Sequence, residues 1–153
     1  MNILLAIDGS AYSHAAVDEL LSRPWPADTH VMVLSVVEAF HPEYAGWQAD
    51  YVPAAMEAQK EVFDVARKLV NETLELLAPK FGGEQLIAEV KEGNIKHEII
   101  ETARNWPADL VIMGSHGRKG ITKFLLGSVS EGVLADAPCS VEIIKLKDHS
   151  AHA

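Results

Sequence analysis

Apolar residues along this chain come in short unbroken runs, separated by stretches where they recur every three or four positions. The first run, ILLAI (3–7), ends at Asp8-Gly9-Ser10. A continuous apolar run of that length suits a strand buried on both faces. HVMVLSVVE (30–38), DLVIMG (109–114) and CSVEIIKL (139–146) read the same way. LIAEVKEG (86–93) alternates more and is expected at a sheet edge. Between the runs the spacing is helical. Ser10 can cap a helix over about 11–22, with Ala15, Ala16, Leu20 and Leu21 on its apolar side. The two prolines of RPWPAD (23–28) cannot continue it. Residues 54–79 carry Val62, Val65, Ala66, Leu69, Val70, Leu74 and Leu77 on one predicted stripe, ended by Pro79 and Gly82-Gly83. A helix over 94–106 follows, with Ile95, Ile99, Ile100 and Ala103 on one face and Pro107 as its stop. A last helix runs from about 129 to 136.

Strand and helix alternate from end to end, which predicts a parallel sheet covered by helices on both faces, with right-handed crossovers. Residues 1–147 read as one domain and KDHSAHA (147–153) as a polar tail, so that residues 148–153 lie outside the fold. Open sheets of this kind bind ligands beyond the carboxyl ends of their strands, where the strand order reverses. With the first strand central, Asp8-Gly9-Ser10 and Gly114-Ser115 enter one crevice.

Composition narrows the ligand. The 153 residues are 48% hydrophobic with a net charge of −9. That balance suits solubility and argues against a general nucleic-acid surface, which needs clustered Lys and Arg. Cys139 is the sole cysteine, so no internal disulfide forms, and its apolar setting reads as buried. The amino terminus has no basic segment, and its apolar run is too short for a signal peptide or a membrane span. A cytoplasmic protein without membrane attachment is the expectation.

One window departs from the acidity. No acid lies between Asp109 and Glu131, while Arg118, Lys119 and Lys123 do. The same window, MGSHGRKGITKFLLGSVSEGVL (113–134), holds Gly114, Gly117, Gly120 and Gly127. Glycine lets a ligand approach the main chain closely. Gly127 precedes a helix, and Ser128 with Glu131 is expected to form a capping box. The first amides of that helix lack intrahelical partners and carry the positive end of its dipole, so they attract an anion, phosphate above all. Neither GxxxxGK[ST] nor a GxGxxG after the first strand is present, so a P-loop and a common dinucleotide site are not expected.

Gly114-x2-Gly117-x9-Gly127-Ser128 resembles the G-x2-G-x9-G-[S/T] nucleotide-binding motif of the universal stress protein family. ILLAIDGS, VMVLSVVE, EGNIKHEIIETARNWPADLVIMGSHG and GSVSEGVLADAPCSVEII resemble the family's stretches in order. The resemblance implies an α/β three-layer sandwich, Rossmann-like or nucleotide α-hydrolase-like, with a five-stranded parallel sheet in the order 3-2-1-4-5. It implies ATP as ligand, with Mg²⁺ left open, and a homodimer through the last strand (139–146). By the same resemblance Asp8 contacts the nucleotide, with Ala6 and Ile7 beside the base, and Val36 packs on adenine. Met113 and Gly114 border base and ribose. His116 and Gly117 follow the phosphates, which Gly127, Ser128, Val129 and Ser130 hold. Gly132 departs from the family's larger, often basic residue and is expected to cost about 1 kcal/mol of helix stability.

The other residues read as follows. Asp8 offers a hydrogen bond to ribose or base, or a water-mediated hold on Mg²⁺. Arg118, Lys119 and Lys123 steer an anion or are solvated surface. Tyr44, Trp47 and Tyr51 are read as packing back on the core, with covering a ligand or partner as the other reading. The remaining histidines share no metal-ligand spacing. Two functions are weighed: an ATP-dependent regulatory binding module, and a slow ATPase or self-phosphorylating enzyme using the same pocket. For the second, no base paired with a water site is found. A receiver-type phospho-switch would need an acidic pair after strand one, an acceptor aspartate after strand three and a lysine after strand five, but DGS offers only Asp8 and EGN follows strand three.

Overall fold

The computed structural model describes residues 1–41, 51–118 and 126–147. Five strands and four helices alternate: β1 (Asn2–Ala6), α1 (Ala11–Ser22), β2 (His30–Glu38), α2 (Val52–Phe81), β3 (Leu86–Gly93), α3 (Ile95–Asn105), β4 (Leu110–Gly114), α4 (Ser128–Asp136) and β5 (Ser140–Ile144). The strands pair in the order β3-β2-β1-β4-β5, all parallel. This is the expected three-layer sandwich. The more alternating strand, β3, is one edge, and β5 is the other.

Strand alternation divides the apolar side chains into two cores. Ile3, Leu5, Val31, Val33 and Ile112 pack against Ala16, Val17 and Leu20 of α1 and Val70, Leu77 and Phe81 of α2. Leu4, Ala6, Met32, Leu34, Val111 and Met113 face Ile99, Ile100 and Ala103 of α3 and Val133 of α4. Side chains such as Leu4, Leu5, Leu20 and Ile112 are fully buried, and each contributes about 1.5–3 kcal/mol. Among the described residues no helix is long and apolar enough to cross a membrane.

Ser10 caps α1 as expected, accepting the Ser13 amide at 3.1 Å. Asn94 does the same for α3, through the His97 amide at 3.0 Å. Three expectations need correction. Pro79 does not end α2, which continues to Phe81. Pro79 lacks the amide that would bond to the Glu75 carbonyl, but the Gly82 amide closes the helix on the Ala78 carbonyl at 2.9 Å, and the buried Phe81 ring holds the extra residues in place. Val62 and Val65 are not on the buried stripe of α2. That stripe runs through Ala66, Val70, Thr73, Leu77 and Phe81, and both valines are about half exposed. Tyr51, at the start of α2, is exposed and does not pack on the core. Tyr44, Trp47, Lys119, Gly120, Lys123 and the tail 148–153 lie outside the described residues.

Candidate functional site

β1 lies between β2 and β4 with Ala6 level with both Leu34 and Met113. The chain leaves β1 toward β2 on one side and returns to β4 on the other, so the order reverses between β1 and β4. The carboxyl ends there open into a cavity of about 870 Å³, within the usual range for a small-molecule site. Ala6, Ile7 and Asp8 line it from β1, and Val36 from β2. Met113, Gly114, His116, Gly117 and Arg118 line it from β4 and beyond, and Gly127, Ser128, Val129 and Ser130 from the start of α4. The thirteen residues read from the sequence thus border one space. Sequence reasoning missed the rest of the wall: Ser35 and Val37 of β2, Ile95 and Ile99 of α3, and a row of α2 residues that includes Val62, Val65 and Leu69. The signal was there for α2, since Val62 and Val65 exceed what one buried stripe accommodates. A smaller cavity of about 520 Å³, bordered also by Asn94 and Lys96, shares Glu38, Ile95, Ser128 and Val129 with the first.

Two loops are tied together over the site. Gly9 turns at φ +80°, a conformation that suits glycine. Asp8 Oδ1 accepts the Ser10 amide at 2.9 Å, and Arg118 Nε donates to the Asp8 carbonyl at 2.6 Å. A Cβ on Gly117 would lie 2.9 Å from Asp8 Oδ2, so the backbone of Gly117 runs against the carboxylate. Gly114 has another reason to be glycine. A Cβ there would sit 2.7 Å from the Tyr12 backbone, so Gly114 lets the first turn of α1 close on the end of β4.

The His116 ring packs on Tyr12, with centroids 5.0 Å apart. Its Nδ1 lies 3.0 Å from Ser115 Oγ, and its Nε2 is buried without a partner. Beyond His116 the chain returns to the same point. The Gly127 amide donates to the Ser115 carbonyl at 2.8 Å, and Ser130 Oγ donates to that oxygen at 2.6 Å.

The expected capping box does not form. The N-cap of α4 is Gly127, with no side-chain cap, and Ser128 is the first helical residue. A serine inside the first turn cannot accept from the amides ahead of it as an N-cap does. The first intrahelical bond runs from the Glu131 amide to the Gly127 carbonyl at 2.9 Å. The amides of Ser128, Val129 and Ser130 precede it, at the positive end of the helix and on the cavity wall. Gly132 leaves room for a side chain of α3. Lys96 of α3 lies across it, its Cδ 2.6 Å from where a Cβ would be, and pairs with Asp136 at 2.5 Å. Among the described residues no three His, Cys, Asp or Glu side chains assemble as metal ligands. Burial, with Asp109 adding to it, raises the pKa of the Cys139 thiol.

The family model of the universal stress proteins, described as "Universal stress protein family", matches residues 1–145. Universal stress protein A homolog 2 of Coxiella burnetii is 40% identical over 96 residues, which span 63% of this chain and 62% of that protein. A universal stress protein of Methanocaldococcus jannaschii is 31% identical over 147 residues, 94% of this chain and 81% of its own. Among solved structures, UspA of Lactobacillus plantarum superposes with a TM-score of 0.77 at 25% identity, covering 94% of this chain and 97% of that one. Two further structures share the fold: a universal stress protein in complex with cAMP (TM-score 0.63, 19% identity, 94% and 96% covered), and an Arabidopsis thaliana family protein with AMP bound (0.64, 15%, 96% and 92%). With its whole sheet, its glycine loop and its sequence matched over 1–145, this chain belongs to the universal stress protein family.

Proposed function

We propose that the large cavity binds an adenine nucleotide, ATP in particular, and that the protein acts as a nucleotide-dependent regulatory module of the stress response in the cytoplasm. One observation carries this reading: three consecutive amides of α4 without intrahelical acceptors border a crevice that Gly117 leaves open. An anion there gains both hydrogen bonds and the helix dipole. Ser128, Val129 and Ser130 would hold the phosphates, with Gly127, His116, Gly117 and Arg118 alongside. Asp8 and Gly114 would meet the ribose, and Ala6, Ile7, Val36 and Met113 the base. Asp8 Oδ2, the oxygen not engaged by Ser10, would hold Mg²⁺ through water. The AMP and cAMP found in proteins of the same fold support an adenine ligand.

Calorimetry of nucleotide-free protein with MgATP tests this, and a dissociation constant in the micromolar range is expected. No heat at millimolar ATP, from folded protein, would refute it. The outer edge of β5 is proposed to pair with its twin in a homodimer, which sedimentation equilibrium reads directly.

A second reading has a specific observation in its favour. Ser128 is not engaged in capping, so its hydroxyl is available as a phosphoryl acceptor, whereas that of Ser130 is bonded twice. Incubation with ATP would then release ADP and add one phosphoryl group to Ser128, read by mass spectrometry.

A further inference from the structure

Charge is spread unevenly over the wall of the large cavity. Asp8, Glu38 and Glu61 line it, and among the described residues Arg118 is its only lysine or arginine. The amides at the start of α4 suit one anionic group. Each further negative group on the same ligand adds repulsion from the three carboxylates, and Arg118 is the side chain placed to offset it.

Arg118 is not a loose surface cation. Its Nε donates to the Asp8 carbonyl at 2.6 Å, which orients the guanidinium over the turn that leaves β1. Nη2 lies 2.9 Å from the point where a Cβ on Gly9 would stand, and Leu69 Cδ2 of α2 lies 3.5 Å from that same point. Gly9 therefore gives the guanidinium its seat, and the apolar Leu69 beside it offers no acceptor.

Among the described residues neither Nη1 nor Nη2 has a hydrogen-bond or ion-pair partner. What remains is a planar fork, held by its stem at the cavity wall, with its outer edge unused. Such a fork matches a phosphate through two parallel bonds. Because it is oriented beforehand, less entropy is lost when the phosphate arrives. Arg118 also follows Gly117 directly, so the fork stands next along the chain from the open passage beside Asp8.

We propose that Arg118 sets the number of phosphates the site selects: its free fork grips the terminal phosphate, beyond the group held at α4, and so favours a nucleoside triphosphate over a monophosphate. This rests on the nucleotide reading above and adds the residue that discriminates within it. Calorimetry with ATP and with AMP, both with Mg²⁺, tests it on the wild type and two variants. The wild type should bind ATP at least about tenfold more tightly than AMP. Arg118→Gln, at an exposed position, should weaken ATP about tenfold or more and leave AMP within about twofold, so that AMP binding reports an intact fold. Arg118→Lys keeps the charge without the anchored fork and should recover only a minor part of the ATP affinity. The inference is overturned if Arg118→Gln weakens ATP and AMP alike, if it weakens neither, or if Arg118→Lys restores ATP in full, which would make Arg118 a point charge. A wild type that binds both nucleotides equally refutes this inference alone; one that binds neither refutes the nucleotide reading and this inference with it.

Discussion

Gly114 and Gly117 are three positions apart and do different physical work. Gly114 is held by packing, because a Cβ there would meet the Tyr12 main chain at 2.7 Å, and backbone cannot step aside as a side-chain tip can. Gly114→Ala is expected to cost about 1–3 kcal/mol by urea unfolding. Gly117 is exposed, and a side chain there meets only the Asp8 carboxylate and the space assigned to phosphate. Gly117→Val should leave the urea midpoint in place and weaken ATP at least tenfold by calorimetry, about 1.4 kcal/mol or more. The two were equivalent in the sequence, since spacing along a loop reports that glycine is needed and not what presses on it. Asp8 was more legible. A carboxylate closing a central strand belongs at the crevice wherever the loops go, and Ser10 was already committed to capping.

At the level of elements, helix and strand identities followed from period alone, and the errors sit at ends and on faces. The capping-box pattern of Ser128 and Glu131 was misread by one residue: Gly127 takes the N-cap, and Ser130 reaches back to Ser115 to fasten the turn. The serines should therefore differ. Ser130→Ala removes a buried hydrogen bond and leaves the Ser115 carbonyl short of one donor, costing about 1–2 kcal/mol. Ser128→Ala, at an exposed position, should stay within about 0.5 kcal/mol. Equal losses in chemical unfolding would restore the capping box. In α2 the hydrophobic pattern was too broad for one stripe, and the surplus valines face the cavity. Periodicity finds which face is apolar; it does not distinguish burial against the sheet from a wall waiting for a ligand. Pro79 likewise was read by local rule, and the burial of Phe81 overrode it.

For the whole molecule, the parallel sheet and its layers were legible because both faces of each inner strand had to be apolar. The order β3-β2-β1-β4-β5 came from the family resemblance, since periodicity does not say which strands are neighbours. Binding energy placed at the sheet's carboxyl edge ties β1, β4 and α4 at once, so it stabilises the folded chain as a unit. At ATP one hundred times its dissociation constant the gain is about 2.7 kcal/mol, and the melting temperature should rise by about 5–10 °C for a domain of this size. A scan showing no rise at saturation would contradict a site in the folded state. One last consequence comes from the carbonyl of Ser115, which receives the Gly127 amide and the Ser130 hydroxyl together. The segment between those residues begins and ends at a single fastened point, as a purse does at its drawstring. Extra length inserted there is invisible to the sheet: doubling the segment with Gly-Ser repeats should cost only about 0.6 kcal/mol. That makes it a natural place for evolution, or an engineer, to graft a new recognition element.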